Sequence, residues 1–187
     1  MLLTRPYFRE RAVEYARRWA LDRNPLFYDF TGGGGNCTNF VSQCVLAGCC
    51  TQNFTPDFGW YYVSVDDRSP SWTSVEFFYD FMTGSGNFPP KLTREGPLGM
   101  EVNVNRAEAG DVVQLYDAVG DFYHTLIISE IKDGEILVCA QSDNALDRPL
   151  STYVNAAGAR FIHIQAALVE VADDTCFNNL IEGISIE

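Results

Sequence analysis

Basic side chains are scarce in this sequence. Thirteen Lys and Arg face 25 Asp and Glu in 187 residues, a formal net charge of −12. A nucleic-acid partner needs a basic face for its phosphates, so that class is excluded. No stretch reaches the ~20 apolar residues of a membrane span, which excludes insertion as a helix. The apolar core of a secretory leader is also missing, because Met1-Leu2-Leu3 is followed at once by Arg5, Arg9 and Arg11. As written, the chain reads as cytoplasmic; it reads as extracellular or cell-wall if a leader or a larger chain was removed. Histidine is limited to His124 and His163, and the six cysteines form no CxxC pair. Clustered metal ligands are therefore lacking, and the sequence implies neither a metal nor another cofactor.

The cysteines do not read as a disulfide framework. A chain this long, 47% hydrophobic and 20% charged, buries a core without staples. Most of Cys44, Cys49, Cys50, Cys139 and Cys176 read instead as small buried hydrophobes. There is no internal repeat and no linker-like stretch, so residues 1–187 read as one domain.

Phe8, Ala12, Tyr15, Ala16 and Trp19 recur at helical spacing, which predicts a helix from Pro6, at its first turn, to about Leu21. Asn24-Pro25 ends that element. Four consecutive glycines, Gly32 to Gly35, precede Asn36, an expected N-cap. Cys37 then opens a second helix running to about Ala47, with Gly48 as its stop. No charged residue lies between Phe30 and Pro56, which fits a helix at the centre of a domain. Thr73-Ser74-Val75-Glu76 is a capping-box pattern opening a helix that ends near Gly84. Residues 85–104, rich in glycine and proline, read as irregular. Strands are expected over Val112 to Tyr116, Phe122 to Ile131, Glu135 to Ser142 and Ala159 to Val171, with Asp133-Gly134 as a hairpin turn. Helices followed by an antiparallel sheet make an α+β fold.

Two residues stand out chemically. A cysteine at a helix N-terminus has its thiolate favoured by the dipole, and the adjacent backbone N–H groups can bind an oxyanion. Cys37 is such a residue. His124 is the candidate base, near the start of a strand on an apolar face, with His163 as its competitor. If Lys132 faces Glu135 across the turn, the same register places His124 opposite Asp143 and diagonal to Gln141. Asp143 is the better partner for an imidazole, because it can both orient and neutralise it. Within Phe58-Gly59-Trp60-Tyr61-Tyr62, Trp60 is a candidate cleft residue, with core packing as the alternative. Asp117 and Asp121 read as a solvated turn.

Gly34-Gly35-Asn36-Cys37-Thr38-Asn39-Phe40-Val41-Ser42-Gln43 closely resembles the signature of a bacterial amidase-domain family. The resemblance extends from Tyr15…Trp19…Asn24-Pro25 through Gly110-Asp111-Val112-Val113 and His124-Thr125 to Gln141-Ser142-Asp143-Asn144…Arg148-Pro149-Leu150. It implies kinship with CHAP-type amidohydrolases and, more distantly, papain-like folds, with N-terminal helices packed on a central antiparallel sheet. It implies Cys37 as nucleophile and His124 as base. It puts the third polar residue at Gln141, where relatives often carry His or Glu, whereas the hairpin register favours Asp143. Tyr28 is the implied oxyanion-site residue, and Asn36 stands where most relatives have Asp.

The reaction so implied is hydrolysis of a peptide or amide through a thioester on Cys37, with bacterial cell-wall peptide as the leading substrate. Two alternatives are a catalytically silent binding module on the same fold and a disulfide-stabilised secreted interaction domain.

Overall fold

A computed structural model of the chain describes residues 1–171 and 175–185. Strand β1 (Leu3–Pro6) and helix α1 (Arg9–Trp19) precede α2 (Cys37–Cys49), a short α3 (Pro70–Thr73), α4 (Val75–Thr83) and β2 (Gly96–Val102). Strands β3 (Val112–Tyr116), β4 (Phe122–Lys132), β5 (Glu135–Ala140), β6 (Ala145–Pro149) and β7 (Gly158–Val169) follow, and then α5 (Cys176–Glu182). The strands form one seven-stranded sheet in the order β1-β7-β3-β4-β5-β6, with β2 also paired to β7. Every pairing among the described residues is antiparallel. The architecture is thus mixed α+β, as the sequence implied.

Alternation along the strands divides the core in two. Val112, Ile127, Ile162 and Ile164 pack with α1, α2, α4 and α5. Val113, Leu115, Leu126, Ile128, Val138 and Phe161 form a second, smaller cluster.

All 13 residues of α2 are buried, although the helix carries Thr38, Asn39, Ser42 and Gln43. A buried polar side chain without a partner costs about 1–3 kcal/mol, so each of these requires one. Thr38 Oγ1 lies 2.9 Å from Thr125 Oγ1 of β4. Asn39 Oδ1 accepts from Trp72 Nε1 at 2.9 Å. Ser42 Oγ donates to Trp72 O at 2.9 Å and accepts from Trp60 Nε1 at 3.1 Å. Gln43 Oε1 accepts from Tyr15 Oη of α1 at 2.8 Å. The polar residues of the motif therefore fix α2 against strand β4, helix α3 with the loop before it, and helix α1.

Several expectations are corrected. Pro6 ends β1 instead of opening α1, because residues 3–6 pair with Ala166 to Val169 of β7. Helix α2 passes through Gly48 and stops at Cys50, which takes a left-handed conformation. Gly48 is required by packing: a Cβ there would lie 2.3 Å from Tyr7 Cε2. The cap of α4 is Ser74, one residue after the start of the expected capping box. Within the stretch read as irregular, β2 pairs with β7; Gly99 lets α4 approach it, since a Cβ there would meet Ile162 at 2.8 Å and Met82 at 3.0 Å. Strand β6 was also absent from the sequence reading.

A further correction concerns the cysteines. Cys50 and Cys176 form a disulfide that ties α5 to the end of α2, across a sequence separation of 126. Cys37, Cys44, Cys49 and Cys139 are free and buried. Unfolding in denaturant without reductant should expose four titratable thiols. Replacing Cys50 and Cys176 by serine should lower stability by roughly 4–5 kcal/mol in denaturant unfolding, the loop-closure value for so long a loop. Six thiols, or an unchanged midpoint, would contradict the bridge.

Candidate active site

Cys37 is the first residue of α2 and is 8% exposed. There is no acidic residue in the first turn, and Asn36 makes no side-chain cap. The positive end of the helix is thus not neutralised by a capping carboxylate beside the sulfur. The expected N-cap instead has a different use. Asn36 Oδ1 accepts from Phe30 N at 3.0 Å and from Asn39 Nδ2 at 2.8 Å. Its Nδ2 donates to Gln141 Oε1 at 2.5 Å.

One chain neighbour of Cys37 is tied to strand β4 and the other to the turn between β5 and β6. Thr38 meets Thr125, the residue after His124. The backbone N–H of Asn36 donates to Ser142 Oγ. Ser142 and His124 line one cleft of about 520 Å³, together with Asp143, Arg148 and Tyr153. The thiol-bearing turn and the imidazole-bearing strand are therefore held at one end of the sheet. Strand alternation aims Thr125 toward α2 and His124 the other way, with Leu126 and Ile128.

His124 is 9% exposed, and its Nε2 is buried with no hydrogen-bond partner among the described residues. Burial holds its pKa below the usual value of 6.5; Asp143 opposes that shift and Arg148 adds to it. The ring is accordingly a neutral base at neutral pH. Burial pushes Cys44, Cys49 and Cys139 up, Cys49 to about 12, so they stay protonated.

Gln141 and Asp143 part company. Lys132 faces Glu135 as expected, and Asp133 and Gly134 both take positive φ. A bulge between Ile128 and Glu130 then shifts the register by one residue, and Asp143 is no longer opposite His124. Asp143 still lines the cleft, paired with Arg148 at 2.8 Å. Gln141 is committed elsewhere: besides accepting from Asn36, its Nε2 donates to Trp19 O at 2.7 Å and Asp22 O at 2.8 Å.

The remaining candidates separate cleanly. Trp60 is fully buried against Trp72 and Phe81, so it belongs to the core and lines no cleft. Tyr28 is half exposed, its ring packs on Phe30, and its carbonyl accepts from Asn39 Nδ2 at 3.0 Å. His163 lies 2.9 Å from the buried Asp111, which also binds Arg9 at 2.6 Å, and it is absent from the His124 cleft. Asp117 Oδ1 accepts from the backbone N–H groups of Val119 and Asp121, as a turn residue does. Tyr153 carried no signal in the sequence; the fold alone brings it to the cleft.

The Asn36–Gln141 contact is open to direct test. Asn36→Asp would turn an oxygen toward Gln141 Oε1, whose amide cannot flip without losing two backbone acceptors. The melting temperature should fall, with a loss of about 1–3 kcal/mol and more while the carboxylate is ionised. A variant as stable as the parent would refute the contact.

The family described as "Putative amidase domain" matches residues 6–164. Among curated proteins, the uncharacterized protein YhbB of Bacillus subtilis (strain 168) is 31% identical over 177 residues, covering 90% of this chain and 51% of that protein. The chain thus spans about half the length of this relative. No solved structure matches. With its glycine run, buried CTNFVSQ helix and His124 strand all inside the matched region, the chain belongs to this amidase-domain family.

Proposed function

We propose that the chain is a cysteine-dependent amidohydrolase or peptidase. His124 Nε2 takes the Cys37 thiol proton, and the thiolate attacks the carbonyl carbon of an amide. Backbone N–H groups at the start of α2 stabilise the oxyanion. The C–N bond breaks as His124 returns the proton to the leaving amine. Water, deprotonated by the same imidazole, then cleaves the thioester, and the thiol is restored. Asp143 is the charge on the cleft wall that favours the imidazolium between these steps, and Gln141 acts through Asn36 to hold the turn before the nucleophile.

One observation carries this reading: the bond before Cys37 leads to Ser142, on the wall of the cleft that His124 lines, and the bond after it leads to Thr125, the next residue along β4 from that histidine. Kinship with CHAP-type and papain-like enzymes belongs to the same proposal, and the substrate class it favours is bacterial cell-wall peptide. The Cys50–Cys176 bridge supports action in an oxidising compartment, outside the cytoplasm.

The test is incubation with peptidoglycan fragments and simple peptide amides, read by mass spectrometry. The parent protein should release product, and Cys37→Ala and Cys37→Ser should release none while melting at the parental temperature. Turnover retained in either variant would reject the nucleophile.

A further inference from the structure

The lining of the His124 cleft includes a second residue with a buried polar atom that has no hydrogen-bond partner among the described residues, the hydroxyl of Tyr153. The ring beneath it is fixed. Arg148 Cζ lies 4.2 Å from its centroid, and the His124 ring centroid is 6.0 Å away on a tilted plane. Arg148 is itself anchored by Thr152 Oγ1 and Asp143 Oδ2, each at 2.8 Å. Phenylalanine would fill the same space without an unmatched hydroxyl, which costs about 1–3 kcal/mol when buried. An orphaned group in a pre-set position calls for a partner that arrives from outside. Burial also raises the phenol's pKa, with Asp143 adding to that shift and Arg148 opposing it, so the group is a protonated donor at neutral pH.

Charge decides what kind of acceptor fits. The guanidinium of Arg148 is already paired with Asp143, and Asp117 adds a second carboxylate to the lining. The rim therefore carries more negative than positive charge, in a chain of −12. A free carboxylate would be repelled there, whereas a neutral carbonyl oxygen would not.

We propose that Tyr153 is a substrate-binding residue whose hydroxyl donates a hydrogen bond to a carbonyl oxygen of an uncharged peptide segment lying in the His124 cleft. This rests on the thiol–imidazole reading above and names the substrate chemistry that the cleft selects.

Second-order rates of Cys37 labelling test it without a known substrate. Iodoacetamide presents an amide carbonyl, iodoacetate a carboxylate, and methyl methanethiosulfonate neither; peptide mass spectrometry assigns the label to Cys37. Tyr153→Phe should slow iodoacetamide about fivefold, the effect of one ordinary hydrogen bond, and leave the methanethiosulfonate rate unchanged. Its melting temperature should not fall, because the hydroxyl has no hydrogen-bond partner of ordinary geometry among the described residues. The parent should prefer iodoacetamide over iodoacetate by more than free cysteine does. Equal iodoacetamide rates in parent and variant, or a parallel fall with methanethiosulfonate, would overturn the role of Tyr153 and leave the nucleophile standing. A preference no greater than that of free cysteine would overturn the selection for uncharged segments. A Cys37 that no reagent labels would reject the nucleophile and, with it, this proposal.

Discussion

The geometry of this protein depends on a helix that is wholly buried and yet not apolar. Helix α2 carries four uncharged polar side chains into the interior, and they are bonded to three neighbouring layers: Thr125 on the sheet, Trp72 on α3 with Trp60 on the loop before it, and Tyr15 on α1. Sliding or rotating the helix would break these bonds together, at a cost far above that of any one of them. Cys37 sits at the end of that fixed rod, so its position is set by the whole set of contacts and not by its own. Asn36 extends the chain of amides to Gln141, and Gln141 fastens it to the turn after α1.

The other half of the site is shaped by an irregularity in the sheet. The bulge between Ile128 and Glu130 moves the β5 side by one residue relative to a regular hairpin. Ser142, with a φ of +79°, then leaves the strand path and receives the Asn36 N–H. Asp143 follows it to the rim, next to Arg148. A cleft lined by an unpartnered imidazole nitrogen and an unpartnered phenol is what results. Such unmatched groups are disfavoured in a core but suited to a place where a ligand completes the hydrogen bonding.

Much of this was legible in the sequence, for local reasons. Val112–Tyr116 is legible at its observed bounds because Val112, Val113, Leu115 and Tyr116, interrupted by Gln114 alone, lie between Gly110-Asp111 and a polar turn. The hairpin was legible because Asp133-Gly134 suits a turn with φ positive at both positions, observed at 52° and 81°. The uncharged stretch around Cys37 announced a central helix. What was not legible depends on partners distant in sequence. The glycines of β2 look like loop residues until Met82 and Ile162 are placed against Gly99. Trp60 reads equally well as cleft or core until Ser42 is seen to take its N–H. No local pattern pairs Cys50 with Cys176, and no periodicity foretells a bulge that moves Asp143 away from His124.

The account stands on the meeting of one sulfur with one imidazole, and the protein is suited to a direct measurement because it has two histidines. An NMR pH titration of both imidazoles, in the parent and in Cys37→Ala, isolates the coupling. If the two groups share a proton as proposed, the sulfur favours the charged ring and raises the His124 midpoint, so removing it should lower that midpoint, with the His163 curve as the internal control. Superimposable His124 curves in the two proteins would show that the sulfur and the imidazole do not meet.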